Sequence, residues 1–461
     1  MDKKIVLIGA GSTSFGPSMF TDLYLSDILE GSTVMLHDLD EEKLEIIYEL
    51  LTVENKKRGN KFNLNRTTNR TKALKNADFI INSIEVGNRM KLWWQDYNIP
   101  RKYGSTQVLG ECGGPGGTFH AFRVIPPIIE IVKDVEKICP DAFFINFSNP
   151  MSRVCLAIKR ATKDLKFVGL CHQIGFMDRN LPRMLHDIFH KDPIKDLKHS
   201  ERKKKFDATL ENLKMTAGGL NHFAFLFGLE DRRNGEDLMP EFNKRAINYF
   251  KEREDSFEFS ALTFEVYKRF KFFPYVGDNH LGEFLQFGEE FTQTEDLRNW
   301  IKRTEQRGDG IYKRVLRYYK RLKRDRYPRK GLLQDTPSGE RAVPIIEAII
   351  QNKNSYESAV NIPNAGLIKN LPKDLVVEVS AFVDKDGVHG KGLGKIPKDI
   401  AAILRIEATI QDLCIEAILN RSKRLAINCL AIDPNVGSFE TAENIYNEMA
   451  ELQKHFLPKF L

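Results

Sequence analysis

Residues Lys4-Ile5-Val6-Leu7-Ile8 form a short, β-branched apolar run that breaks at once into Gly9-Ala10-Gly11-Ser12-Thr13-Ser14. Such a run suits a central parallel strand buried on both faces. The two glycines after it let the backbone turn tightly and approach a pyrophosphate at a helix N-terminus. A second strand-like run, Ser32 to His37, ends in Asp38, at the distance from the turn where a carboxylate takes the adenosine ribose hydroxyls of NAD. Gly9, Gly11, Ser12 and Asp38 are therefore the expected cofactor-binding residues, with NAD favoured over NADP because the carboxylate repels a ribose phosphate. The third position of the fingerprint is Ser14 rather than glycine or alanine. The competing reading is a phosphate-free βαβ turn whose glycines serve helix packing alone.

Further strand-like runs at Phe79 to Ile84, Phe143 to Phe147 and Phe167 to Leu170 alternate with helical segments near Pro17 to Leu29, Glu41 to Lys57, Phe122 to Ile138 and Pro150 to Ala161. This rhythm predicts an α/β fold, a Rossmann-type doubly wound parallel sheet over residues 1–195. The lysine-dense stretch 191–205 reads as an exposed boundary loop. Beyond it the pattern changes to an antiparallel-looking stretch from Leu210 to Leu229, mixed helices to about residue 330, a strand at Leu375 to Val383, and helices from Lys398 onward. Residues 196–461 are expected to form an α+β domain for substrate and metal binding and for oligomerisation.

A chain of 461 residues with 42% hydrophobic content buries a large core, in two expected lobes. The formal net charge of +7 suits an anionic substrate or cofactor but is too weak for this length to imply nucleic acid. Within Lys302 to Lys330, thirteen Lys or Arg stand against three acids, with tyrosines interleaved. A solvated helix with its tyrosines packed inward is preferred there over an RNA-binding one. Six scattered cysteines indicate no disulfide framework. No apolar run reaches membrane-spanning length, so no membrane partner and a cytoplasmic location are expected. The last helices, 400 to 460, read as core or subunit interface of a homodimer or homotetramer.

Several residues could carry chemistry. Cys171 follows a strand at the carboxyl edge of the sheet, where open α/β folds place ligands. Cys171 and His172 cannot both face one point on extended backbone, so a second donor must come from elsewhere. His222, in Gly219-Leu220-Asn221-His222-Phe223, sits in an apolar stretch where an imidazole needs a partner; the alternative is a satisfied core histidine. Glu111 lies in a glycine-saturated loop, Gly110 to Gly117, and its alternative is a turn acid. Asp278, in Tyr275-Val276-Gly277-Asp278-Asn279-His280 followed by Glu283, is either an acid–base group or a helix N-cap. Arg89, Trp93 and Trp94 follow the strand at Phe79 and could bind a uronate or stack on a sugar, or form an ordinary amphipathic helix.

These segments, with Asn146-Phe147-Ser148-Asn149-Pro150-Met151 and Asn361-Ile362-Pro363-Asn364 followed by Asn370-Leu371-Pro372, occur in the order seen in glycoside hydrolase family 4. The resemblance covers nearly the whole chain. It is nearer the α-glucosidase and α-galacturonidase branches than the 6-phospho-glycosidases, chiefly through the Gly-Asp-Asn-His segment. The resemblance implies a glycosidase outside the two-carboxylate scheme. NAD oxidises the sugar at carbon 3, carbon 2 loses its proton, the aglycone leaves, water adds and the ketone is reduced back, with a divalent metal, manganese in most relatives. Carried over by position, Cys171 and His222 are the metal ligands, Asn149 and His172 bind the sugar, and Asp278 or Tyr275 is the base. Glu111 is the proton donor or a metal-orienting group. The substrate implied is a small-molecule α-hexoside or α-hexuronide without phosphate, the uronide slightly favoured through Arg89 and the positive charge. A plain NAD-dependent sugar or hydroxy-acid dehydrogenase is the alternative; a dinucleotide-sensing regulator is a more distant one.

Overall fold

The computed structural model describes residues 2–193, 197–252, 261–292, 294–328 and 331–461. Its spine is one twelve-stranded sheet: β1 (Lys4–Ile8), β2 (Thr33–His37), β3 (Asn63–Thr67), β4 (Phe79–Asn82), β5 (Phe143–Asn146), β6 (Phe167–Gly169), β7 (Leu213–Leu220), β8 (Phe223–Asp231), β9 (Phe273–Pro274), β10 (Ser355–Pro363), β11 (Val376–Asp384) and β12 (Gly387–Gly390). The path across it is β3-β2-β1-β4-β5-β6-β10-β11-β7-β8-β9, with β12 paired to β11. The first six strands are parallel, in the order of a Rossmann fold. From β10 onward the pairings are antiparallel.

The parallel strands are apolar because helices cover both faces. Ile5 and Leu7 join one core and Val6 and Ile8 the other, as side chains alternating along a strand must. The polar exception is β3, Asn63-Leu64-Asn65-Arg66-Thr67, which sits at the sheet's end. Helix Glu41–Lys57 is held at its start by Asp40, whose side chain accepts from Lys43 N–H. Helix Gly114–Ile138 begins inside the glycine loop itself, earlier than the sequence pattern predicts, with Pro115 in its first turn.

The expected division at 195/196 falls among residues 194–196, which lie outside the described residues, and the rest of the 191–205 stretch is only partly a loop, since a helix runs His199–Glu211. The two expected lobes share the sheet: β10 pairs with β6 at Asn361 and Gly169. The late helices Lys398–Asn420, Lys423–Ala431 and Phe439–Leu452 also pack into the core that holds Val6, Ile80 and Phe144. The basic segment is helix Thr294–Leu322. Its Tyr318 and Tyr319 pack against the core while Tyr312 is exposed; Arg329 and Lys330 lie outside the described residues. Among the described residues no helix is long and apolar enough to cross a membrane.

The C-terminal helices are fastened by a buried ion pair. Arg123, on helix Gly114–Ile138, donates to both oxygens of Asp96 on helix Arg89–Lys102, and its Nη1 also reaches Gln453 Oε1 at 3.0 Å. Removing one partner strands the other charge in the core. Arg123→Ala should therefore cost about 3–5 kcal/mol, read as a lowered urea midpoint. Lys102→Ala, which breaks an exposed pair with Glu448, should move the midpoint far less.

Candidate active site

The turn after β1 is built for a close approach. Gly9 has φ of 87°, and a Cβ on it would lie 2.9 Å from the Ser83 carbonyl oxygen. A Cβ on Gly11 would lie 2.8 Å from Asp38 Oδ2, the atom to which Gly11 N–H already donates at 2.8 Å. Asp38 Oδ1 accepts from Asp40 N–H at 2.9 Å, so the carboxylate is fixed at the end of β2 with lone pairs to spare. Ser12 Oγ accepts from Phe15 N–H at 3.1 Å. The hydroxyl is thus engaged at the start of helix Phe15–Leu25, and the backbone of this turn is the part suited to a pyrophosphate.

Three strand ends away, Cys171 follows β6, and the β7–β8 turn brings His222 to it from the antiparallel half. Cys171 Sγ and His222 Nε2 are 3.2 Å apart. His222 has a left-handed φ of 64°, uncommon for a residue other than glycine. Asn221 N–H fixes the turn by donating to Ser152 Oγ at 3.0 Å. Burial, with His280 and His172 nearby, holds the His222 imidazole well below its usual pKa and so neutral. Burial and Glu378 push the Cys171 thiol up to about 12. His222 Nδ1, Asn149 Oδ1, Asn221 Oδ1 and Asn361 Oδ1 are buried without a hydrogen-bond partner, a cost natural to a site that binds something. A thiol and a neutral imidazole in contact are a fit donor pair for a borderline divalent cation, and Asn149 is a fit acceptor for a sugar hydroxyl.

The acids divide by what already holds them. Glu111 Oε1 accepts from Arg89 Nη2 at 2.7 Å. Burial pushes its carboxyl up, but Arg89, His280 and His120 outweigh this and keep it below the usual value. Glu111 is thus an anion bound to arginine, which disfavours the proton-donor role expected of it. Arg89 Nε also faces Glu85 at 3.9 Å, so these two acids answer part of its charge, and its side chain stays half exposed. Trp93 is buried in its own cluster with Tyr97 and Trp300, and Trp94 Nε1 donates to Glu305 at 3.2 Å; the amphipathic-helix reading describes both. Glu283 is fully buried, and its Oε2 accepts from the N–H groups of Glu111, Cys112 and Gly113 at 2.8, 2.6 and 2.8 Å. The ligand atoms of His222, His280 and Glu283 lie within 4.8 Å of one another, but the glutamate of the three is already saturated.

Asp278 and Tyr275 part company. The oxygens of Asp278 accept from Leu262 N–H at 2.9 Å and Thr263 N–H at 2.8 Å. This carboxylate therefore caps the start of helix Ala261–Phe270, not the helix ahead of His280. Burial pushes it up to about 6 against those hydrogen bonds. Tyr275, fully buried just past β9, donates its hydroxyl to Glu378 Oε1. Glu378 Oε2 accepts from Asn221 Nδ2 at 2.6 Å and Asn361 Nδ2 at 2.8 Å. His172 stands exposed beyond Cys171, 3.8 Å from Glu340.

Sequence reasoning did not single out Glu378, Asn221, Glu283 or His280 as functional. Glu378 had a readable signal, a lone acid in the apolar strand Val376-Val377-Glu378-Val379, where a buried charge requires partners.

Comparison with known proteins places the whole chain in one family. The model of the Family 4 glycosyl hydrolases matches residues 4–187, and that of their C-terminal domain matches residues 217–436. An alpha-glucosidase of Erwinia rhapontici is 34% identical over 94% of both chains. An alpha-galactosidase of Bacillus subtilis (strain 168) is 29% identical over 98% of this chain and 97% of its own. A 6-phospho-alpha-glucosidase from gut microorganisms, solved in complex with NAD and Mn2+, superposes with a TM-score of 0.83 over 100% of both chains at 21% identity, a likeness of fold. Full-length coverage, together with matches to both domain models, shows that the chain is a glycoside hydrolase belonging to family 4.

Proposed function

We propose that this glycosidase cleaves unphosphorylated α-hexosides, neutral ones in preference to uronides, by transient oxidation at carbon 3, elimination across carbons 1 and 2, water addition and reduction. The observation that carries the proposal is the Cys171–His222 pair, 3.2 Å apart on the same sheet edge as the Gly9–Asp38 turn. Direct displacement needs two carboxyl groups free to act on the glycosidic bond, whereas Glu111, Glu283 and Glu378 are each held by protein donors. The preference for a neutral sugar rests on the pairing of Arg89 with Glu111 and Glu85, and on the 34% identity to an alpha-glucosidase.

The Gly9–Gly11 turn and Asp38 would hold NAD; Cys171 and His222 would hold a divalent cation, manganese in the solved relative. Bound there, the two supply reversible oxidation at carbon 3 and polarisation of the neighbouring sugar oxygens. Asn149 Oδ1 accepts a sugar hydroxyl. Tyr275 Oη takes the carbon 2 proton, and Glu378 Oε1 draws off the phenolic one, with Asn221 and Asn361 holding that carboxylate still.

Turnover of an α-glucoside in deuterated water should place deuterium at carbon 2 of the sugar without accumulation of NADH. Hydrolysis without exchange contradicts elimination, and net NADH accumulation would mark a plain dehydrogenase. Tyr275→Phe should suppress both exchange and cleavage, whereas Asp278→Asn should act mainly through stability of helix Ala261–Phe270. Faster cleavage of 6-phospho-glycosides would overturn the substrate branch, and faster cleavage of a uronide the preference for neutral sugars.

Cys171→Ser should lose Mn2+ affinity at least roughly tenfold, measured by electron paramagnetic resonance of the free ion, while NAD affinity stays near wild type. Equal affinity in the variant would remove the thiol from the cation site. NAD should also bind more tightly than NADP, and Asp38→Ala should narrow that gap, both read by fluorescence titration of the reduced dinucleotides.

A further inference from the structure

His280 is more tightly oriented than a core histidine needs to be. It lies on the short helix Asp278–Leu281, and its Nδ1 is 2.9 Å from Glu283 Oε1. The other oxygen of that carboxylate is occupied by three consecutive backbone N–H groups, Glu111 to Gly113. Glu283 can therefore only accept, which places a hydrogen on His280 Nδ1; against the pull of burial, Glu283 and Glu111 hold the ring above its usual pKa, and at alkaline pH, where the ring is neutral, Nε2 is its lone-pair nitrogen. The ring is wedged between His222, with centroids 4.2 Å apart, and the perpendicular face of Trp300 at 6.3 Å. Nε2 makes no hydrogen bond among the described residues, although the side chain is buried. A fixed imidazole next to the Cys171–His222 pair, with one nitrogen buttressed and the other without a protein partner, is a recognition element awaiting a polar group.

We infer that His280 contacts the substrate: with Glu283 fixing its tautomer, Nε2 accepts a hydrogen bond from one hydroxyl of the hexose. The inference rests on the glycosidase reading above and names a residue that reading does not use. Glu283 acts through His280 and is a positioning residue. In Glu283→Gln the amide keeps its size. Its oxygen stays with the three N–H groups, so its NH2 faces Nδ1; the ring must then carry its hydrogen on Nε2, where it can no longer accept.

The test is calorimetric binding, at alkaline pH with NAD and Mn2+ present, of glucose, galactose and their 2-, 3-, 4- and 6-monodeoxy analogues. Wild type, His280→Ala and Glu283→Gln are compared, with NAD affinity as the check that each variant is folded. Wild type should bind one deoxy analogue roughly five- to tenfold more weakly than the parent sugar. Both variants should lose that same factor for the parent and show no further loss for that analogue, because the contact is already gone. The other analogues should keep their wild-type ratios. A common factor lost for parent and all analogues, or no loss at all, overturns the contact. If His280→Ala does not fold, Glu283→Gln alone decides, since it keeps the ring and changes only its acceptor. Wild type that binds no hexose would defeat the glycosidase reading and this inference together, whereas hexose binding with additive losses would defeat this inference alone.

Discussion

One row of paired residues across the sheet holds the site together. Ile8 pairs with Asn82, Asn82 with Asn146, Asn146 with Gly169, Gly169 with Asn361, Asn361 with Glu378, Glu378 with Gly219, and Gly219 with Ala224. At the parallel end the chain leaves this row into the dinucleotide turn, the Arg89 helix, Asn149 and Cys171. At the antiparallel end it supplies Asn361, Glu378 and the turn with His222, and Tyr275 N–H joins by donating to the Ala224 carbonyl at 3.2 Å. Register is therefore the controlling variable. A slip of one residue on β10 or β11 would send Asn361 or Glu378 to the opposite face, and the Tyr275–Glu378 bond with it.

The polar groups of the site are arranged so that few depend on the ligand for satisfaction. Glu283 is filled by three backbone donors and His280, Glu378 by a tyrosine and two asparagines, and Glu111 by Arg89. Buried carboxylates are tolerable only on these terms. The groups without partners lie instead at the sheet edge: the carboxamide oxygens of Asn149, Asn221 and Asn361, which accept, and His222 Nδ1, which carries the hydrogen of the neutral ring when Nε2 faces a cation. A rigid anionic frame around unsatisfied acceptors favours a ligand that brings hydroxyl donors and positive charge, as a sugar and a divalent cation do together. On the proposed route that division would let the frame stay fixed while the sugar is oxidised and reduced back, with little reorganisation demanded of the protein.

The parallel half was legible because its signals are local. Ile5 to Ile8 with Gly9, and Phe143 to Phe147, announce buried strands by composition alone, and the β3 strand was missed because Asn63 to Thr67, paired on one edge only, needs no apolar pattern. The pairing of Cys171 with His222 came from resemblance, since 51 residues separate them and only the β6–β10–β11–β7 path makes them neighbours. The capping contacts of Asp278 are hidden for the converse reason. An acid in a Gly-Asp-Asn-His segment invites a chemical role, and the helix it caps begins at Ala261, on a different element. A change of pattern near residue 196 leads to the expectation of two lobes, and one sheet runs through both, parallel up to β6 and antiparallel beyond it.

The proposed route of oxidation and elimination has a strict chemical consequence: carbon 3 of the sugar must bear an oxidisable hydroxyl. Hydrolysis of an activated 3-deoxy-α-hexoside, set beside its 6-deoxy isomer in the presence of NAD and Mn2+, measures this directly. Oxidation followed by elimination predicts cleavage of the 6-deoxy compound and none of the 3-deoxy compound. Cleavage of the 3-deoxy compound at a comparable rate would mean that the bond is broken by direct displacement, and would contradict the mechanism.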